Sequence, residues 1–169
     1  MLRDLTAKYE ITLASNSPRR KELLSEIIPT FKVEAREVEE IYPGNLKGGE
    51  IATYLSQLKS APFQPNEKEL IITADTIVIL DELTLGKPKN SEEAKNTLNL
   101  LSGKKHKVIT GVTIRTKNQE LSFYDATKVE FYALTADEIE YYIKNYKPFD
   151  KAGAYGIQEW IGYIGIKKM

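Results

Sequence analysis

The sequence predicts an α/β fold built on a mixed, partly antiparallel twisted sheet flanked by helices. Short apolar runs of strand type alternate with amphipathic helical stretches up to residue 101, the pattern of strands connected through helices. Two long alternating runs then follow one another across the turn-forming pair Lys117-Asn118, which calls for neighbouring antiparallel strands. The 169 residues, with 41% hydrophobic and 28% charged side chains, suit a single domain over 1–169 with its own core.

Taken in order, Ile11 to Ala14 reads as a short apolar strand. Ser17 and Pro18 then open a helix as N-cap and first helical residue, with Leu23, Leu24, Ile27 and Ile28 expected inward. Phe31 to Ala35 alternates like a strand, and Glu50 to Leu58 has helical spacing through Ile51, Leu55 and Leu58. Leu70 to Leu80 is a long β-type run. Lys89 to Leu101 reads as a helix, capped by Asn90 or Ser91 and burying Ala94, Leu98 and Leu101. Val108 to Thr116 and Leu121 to Ala133 form the strand pair. Thr135 with Glu138 is a capping box for a helix carrying Ile139, Tyr142 and Ile143, and Ile161 to Ile166 alternates like a final strand.

Composition excludes several kinds of chemistry. There is no cysteine, hence no disulfide, thiolate metal site or cysteine nucleophile, and the lone His106 forbids a histidine metal cluster. Any metal must sit on carboxylates and phosphate oxygens. Lys and Arg number 24 against 24 Asp and Glu, so no overall basic field invites nucleic acid. The charged N-terminal stretch Met1 to Glu10 does not read as a signal segment, and no run has a membrane helix's length; a cytoplasmic protein is expected.

Four segments can carry chemistry. In Ser15-Asn16-Ser17-Pro18-Arg19-Arg20, two arginines sit in a first helical turn, against the positive end of the helix dipole. An anion there would offset a cost of roughly 0.3–1 kcal/mol per arginine. Such a turn is a phosphate cradle or a solvated basic turn. Asp75 lies in a strand, on the face expected to carry Ile71, Thr73, Ile77 and Ile79, where a carboxylate is costly unless paired or metal-bound. It is a general base, or the site of a strand break that turns it to water. Lys87 is held between Gly86 and Pro88, suited to a phosphate oxygen or simply solvated. In Asp150-Lys151-Ala152-Gly153-Ala154-Tyr155-Gly156-Ile157-Gln158, small residues allow close backbone approach to a ligand, or a tight bend beside a sheet, and Gln158 offers a donor and an acceptor to a base edge.

These segments resemble the Maf family, also called septum-formation inhibitor proteins, which are nucleoside triphosphate pyrophosphatases with a fold like that of the inosine triphosphate pyrophosphatases and a central nucleotide cleft. The resemblance rests on Leu13 to Leu24 (LASNSPRRKELL), Thr73 to Leu80 with Gly86-Lys87-Pro88, Leu100 to Val112 (LLSGKKHKVITGV) and Asp150 to Gln158 (DKAGAYGIQ), in family order. It implies hydrolysis of a nucleoside triphosphate to monophosphate and pyrophosphate, with dTTP and UTP, and modified pyrimidine nucleotides, as the substrate class. By resemblance Asp75 is the proton acceptor; Arg19, Thr76 and Gln158 set base specificity; Ser15, Arg20, Lys59 and Lys87 hold phosphates. Glu40, with Asp75, would bind a divalent cation, Mg2+ or Mn2+. His106 also matches a family position and reads as structural, or as a support behind the site residues, since no partner for it is visible in the sequence. The implied partner is the nucleotide, not nucleic acid or membrane, and the resemblance leaves room for a homodimer.

The sequence departs from the family pattern at Glu39, where aspartate is usual, and at Tyr146-Lys147-Pro148-Phe149, where Gly-Glu-Pro is common. The family's further strand and final helix, expected after the Gly-Ile-Gln segment, have no counterpart after Met169. Two other functions remain open at this stage: a pyrophosphatase of methylated guanine nucleotides, and a non-catalytic nucleotide-binding regulator of cell division.

Overall fold

The computed structural model describes residues 6–169. The N-terminal charge reading at residues 1–5 lies outside the described residues. The elements are β1 (Glu10–Leu13), α1 (Pro18–Ser25), β2 (Lys32–Val33), α2 (Gly49–Ser60), β3 (Glu69–Leu80), β4 (Leu83–Leu85), α3 (Ser91–Leu101), β5 (Lys105–Arg115), β6 (Glu120–Phe131), α4 (Ala136–Tyr146), a 3-10 turn (Ala152–Ala154), α5 (Trp160–Gly165) and β7 (Ile166–Lys168). Among the described residues the strand order is β2-β1-β3-β5-β6-β7, with β4 paired to β3. The pairs β1·β2 and β1·β3 are parallel and β3·β4 and β6·β7 antiparallel, so the sheet is mixed as expected. The chain forms two compact units, residues 1–75 with 110–125 and residues 76–109 with 126–169, and β3, β5 and β6 run through both.

In the first unit β1 lies between β2 and β3, with Leu13 opposite Ile72 of β3 and Val33 of β2. Its core joins Ile11, Leu13 and Leu70 to Leu24 and Ile28 of the α1 region. Helix α1 starts at Pro18 as expected, but Leu23 and Ile27 are about 60% exposed. The helix ends at Ser25 and buries Leu24 alone, Leu23 lying ~100° round from it, while Ile28 packs inward from the chain beyond the helix. Strand β2 is likewise shorter than the expected 31–35. Its ladder ends where Glu34 N donates to Leu13 O, and Arg36 turns away to reach Glu34 and Pro62 O, at 2.6 Å for the latter.

The second unit holds the larger core, in which Leu98, Leu101, Ile139 and Tyr142 are fully buried around Val78, Val129 and Phe131. Helix α3 buries Ala94, Leu98 and Leu101, and the Asn90 side chain caps it by accepting from Glu93 N. The Thr135–Glu138 capping box of α4 forms reciprocally. Two elements depart from the sequence reading. Leu80 pairs with Leu83 across Asp81-Glu82, a hairpin whose Asp81 takes a positive φ of 55°, although the second turn residue is not the usual glycine. The run Ile161 to Ile166 is not a strand up to Gly165: it is the helix α5, with Ile161 and Gly165 buried one turn apart and Tyr163 82% exposed, and only Ile166–Lys168 pairs with β6. Gly162 and Gly165 are three apart and would fall on opposite strand faces, whereas the buried pair Ile161 and Gly165 follows the four-residue helical spacing.

Lys147 ends α4 in the left-handed conformation (φ 47°, ψ 63°), where glycine is favoured. Lys147→Gly is therefore expected to stabilise the protein by about 0.5–1 kcal/mol, relief of the left-handed strain outweighing the added chain entropy. Urea denaturation midpoints check it.

Candidate active site

The first unit brings five of the singled-out side chains together. Ser15 follows β1 and is 7% exposed, and its Oγ accepts from Ser17 N (3.2 Å) and from Arg20 Nη1 (3.4 Å). Ser17 occupies the N-cap position but makes no side-chain capping bond, and the first turn of α1 carries no acidic residue. Arg20 Nη1 also donates to Ala74 O at 2.7 Å, which seats the guanidinium beside Asp75. Burial pulls the Arg20 pKa down, the charge of Asp75 pushes it back up, and Arg19 lowers it further. The guanidinium is thus a cation partly stripped of water, with the charges of Asp75 and Glu40 opposing that penalty.

Asp75 lies in an unbroken strand and is 4% exposed, so the strand break does not occur. It shares buried positions with Ile71, Thr73 and Ile77. Ile79 is half-buried and Val78 buried instead, a change of inward parity beyond Asp75. Lys59, in the last turn of α2, bonds Asp75 Oδ1 and lies 2.9 Å from Glu40 Oε1, with its side chain only 17% exposed. A buried carboxylate next to an ammonium is compensated, which resolves the electrostatic penalty that its strand position raised.

Three hydroxyls that sequence reading did not single out fix this pair. Thr73 Oγ1 donates to Ser56 O of α2 (2.7 Å), and Ser56 Oγ bonds Thr113 Oγ1 of β5 (2.7 Å); all three residues are fully buried. Lys59 lies about one helical turn beyond Ser56, and Asp75 two strand residues beyond Thr73. The hydroxyl contact therefore sets the register that lets the ion pair form. The available signal was a threonine on Asp75's own face of an otherwise apolar strand.

Glu40 and Asp75 converging on one cation are also the donor set a small divalent ion takes, two carboxylates with the remaining ligands from phosphate and water. Among the described residues no group of three or more His, Asp or Glu could hold a metal by itself. The residues fit a cation brought with a phosphate substrate rather than a self-sufficient protein cage.

The other predicted residues lie elsewhere or stand outside this cluster. Arg19 is half-buried on α1. Thr76, Lys87 and Gln158 belong to the second unit: Thr76 half-buried on β3, Lys87 exposed after β4, and Gln158 exposed in the turn before α5. Gly153 N bonds Gly86 O at 3.0 Å, tying the Lys87 turn to the Asp150–Gln158 segment. Gly153 has φ 70°, and a Cβ there would lie 2.7 Å from Val78, so this glycine is required by the tight bend against the sheet.

His106 is 3% exposed, its Nε2 bonded to Tyr155 Oη at 2.7 Å and its ring edge-on to Phe131 and Tyr155. Burial lowers its pKa from 6.5 to about 4, partly opposed by the Lys104 backbone. The folded state thus binds fewer protons than the unfolded one near pH 5. Stability present above pH 6.5 should fall as pH drops toward 4, by on the order of 2 kcal/mol. Urea midpoints at pH 7 and 5 for the protein and His106→Gln check this, the variant showing the flatter dependence.

A family model described as "Maf-like protein" matches residues 10–169. The chain belongs to the Maf family. Among curated relatives, a dTTP/UTP pyrophosphatase of Phocaeicola vulgatus is 52% identical over 163 residues, covering 95% of this Maf chain and 84% of the relative. One of Bacteroides thetaiotaomicron is 52% identical over 167 residues, covering 96% and 86%. A third, of Cytophaga hutchinsonii, is 51% identical, covering 95% of this chain and 74% of its own. The solved structure of the Staphylococcus aureus Ham1 protein is similar in fold, with TM-score 0.51, 18% identity and coverage of 92% and 90%. No helix among the described residues of this Maf chain is long and apolar enough to cross a membrane.

Proposed function

We propose that this Maf-family chain hydrolyses dTTP and UTP, and modified pyrimidine triphosphates, to the monophosphate and pyrophosphate. The observation that carries the reading is Asp75, buried in a strand and paired to Lys59 beside the Arg20 guanidinium, in a chain about half identical to relatives named dTTP/UTP pyrophosphatase. Water attacks the α-phosphorus, forming one P–O bond as the bond from that phosphorus to the αβ-bridging oxygen breaks. Asp75 takes the water's proton, and pyrophosphate leaves with the bond electrons. Lys59 holds Asp75 in place and, with Arg20 and Lys87, offsets charge on the phosphates; Ser15 and the open first turn of α1 supply further donors. A divalent cation, Mg2+ or Mn2+, held by Glu40 and Asp75 with phosphate oxygens, would supply charge neutralisation on the triphosphate. Arg19, Thr76 and Gln158 read the base, since their side chains can donate to and accept from the O2, N3 and O4 edge of thymine or uracil. Such a reaction draws on the nucleotide pool, and that supports a cytoplasmic location.

The test is a pyrophosphate-release screen over dTTP, UTP, CTP, ATP, GTP and a methylated guanine triphosphate, with and without Mg2+. Cation-dependent turnover led by dTTP and UTP is expected. Turnover confined to the methylated purine contradicts the pyrimidine reading, and tight binding without release points to a regulator instead.

A further inference from the structure

The turn that displays Gln158 is held from beneath by a polar cluster at the edge of the second unit's core. Gly156 N donates to Tyr142 Oη at 3.0 Å, and the same hydroxyl donates to Glu159 Oε2. Glu159 Oε1 lies 3.1 Å from Lys151 Nζ, which also bonds Asp150 Oδ1 at 2.7 Å. Tyr142 is fully buried and Lys151 is 8% exposed. The backbone closes the same turn, with Glu159 N donating to Gly156 O at 3.0 Å.

Each part is chemically unusual for its place. Tyr142 belongs to the apolar stripe of α4 with Ile139 and Ile143, where a phenylalanine would fill the same space; its hydroxyl bonds both Gly156 N and the Glu159 carboxylate of the turn. A partly buried lysine–carboxylate pair is a weak source of stability, but a satisfied polar network fixes one conformation. At Gly156 a Cβ would lie 2.8 Å from the Glu159 carboxyl carbon, so the glycine lets the carboxylate fold beneath the turn. Between these two anchored residues only Ile157 and Gln158 are presented outward, both exposed.

We propose that Glu159, held by Tyr142 and Lys151, is a positioning residue for base selection, fixing Gln158 where it can read a pyrimidine edge. The inference rests on the base-reading role given above to Gln158. Recognition by a single amide needs placement within about 0.5 Å, more than an exposed turn without internal anchors provides. Glu159 takes no part in the phosphate chemistry, so its loss should fall on substrate choice and KM rather than on kcat.

The experiment compares Tyr142→Phe, Glu159→Ala, Glu159→Gln and Gln158→Ala in the full chain, measuring kcat and KM for dTTP, UTP and GTP beside thermal melts. Tyr142→Phe and Glu159→Ala are expected to raise KM for dTTP about five- to twenty-fold, leave kcat within about threefold, and narrow the dTTP-to-GTP ratio of kcat/KM. Glu159→Gln keeps an oxygen for the tyrosine hydroxyl and should recover most of that ratio. Should Tyr142→Phe fold poorly, the two Glu159 variants, at a side chain 24% exposed, decide. An unchanged base ranking in the Glu159 and Tyr142 variants while Gln158→Ala narrows it overturns the inference and leaves the base reading intact. A parallel fall in kcat for all three nucleotides overturns it too, as a purely structural role would give. If Gln158→Ala itself leaves the ranking unchanged, the base reading fails and the inference falls with it.

Discussion

Asp75→Asn is expected to lower kcat by about 10²–10⁴ while the protein stays folded, the range removal of a general base gives. Asparagine keeps the shape and an oxygen for Lys59, so the hydrogen bond from the ammonium survives as a neutral one. What disappears is the charge and with it the ability to take a proton from water. Lys59 is not stranded by the change, because Glu40 lies 2.9 Å away and still balances it. The stability loss should therefore stay below about 2 kcal/mol, under the roughly 3–5 kcal/mol of a charge left wholly unpaired. Steady-state pyrophosphate release with Mg2+, beside a thermal melt, reads both quantities. A folded Asn variant at near wild-type rate removes Asp75 from the chemistry.

Arg20→Ala should weaken triphosphate binding about 10- to 100-fold while nucleoside affinity changes by about twofold or less. The guanidinium is half-buried and held by the Ala74 carbonyl and Ser15 Oγ, so it is already oriented and partly short of water before any phosphate binds. Both features strengthen a charge-assisted hydrogen bond to an anion. Arg20→Lys keeps the charge but not the fork, and should recover part of the loss. Titration calorimetry with dTTP and thymidine separates the ligands; equal losses for both would move the phosphates away from the Ser15–Arg20 turn.

Much of this arrangement was legible in the residues. Asn90 and the Thr135–Glu138 box located two helix starts because capping is local chemistry, and Pro18 located a third because its fixed φ suits a first helical residue although Ser17 makes no capping bond. Asp75 stood out because a carboxylate in an apolar strand needs a reason. Its partner did not, since Lys59 reaches it only through the register that Thr73, Ser56 and Thr113 impose, a contact between residues far apart in the chain. The same limit hid the Tyr142–Glu159 contact, in which a core tyrosine looks apolar until the turn above it is in place. Leu23 and Ile27 misled because the helix ends at Ser25 and buries only Leu24, and Ile161 to Ile166 misled because its mix of apolar residues and glycines does not by itself separate a short helix from a strand. The family resemblance supplied what neither pattern could, the assignment of Glu40 and Lys59 to one site, and the structure brings those two together with Asp75.

The central claim is water attack at the α-phosphorus, and hydrolysis of dTTP in ¹⁸O-enriched water with Mg2+ tests it most directly. Mass spectrometry of the products should find the label in thymidine monophosphate and none in pyrophosphate. Label in pyrophosphate, or release of labelled orthophosphate with a nucleoside diphosphate, would contradict it.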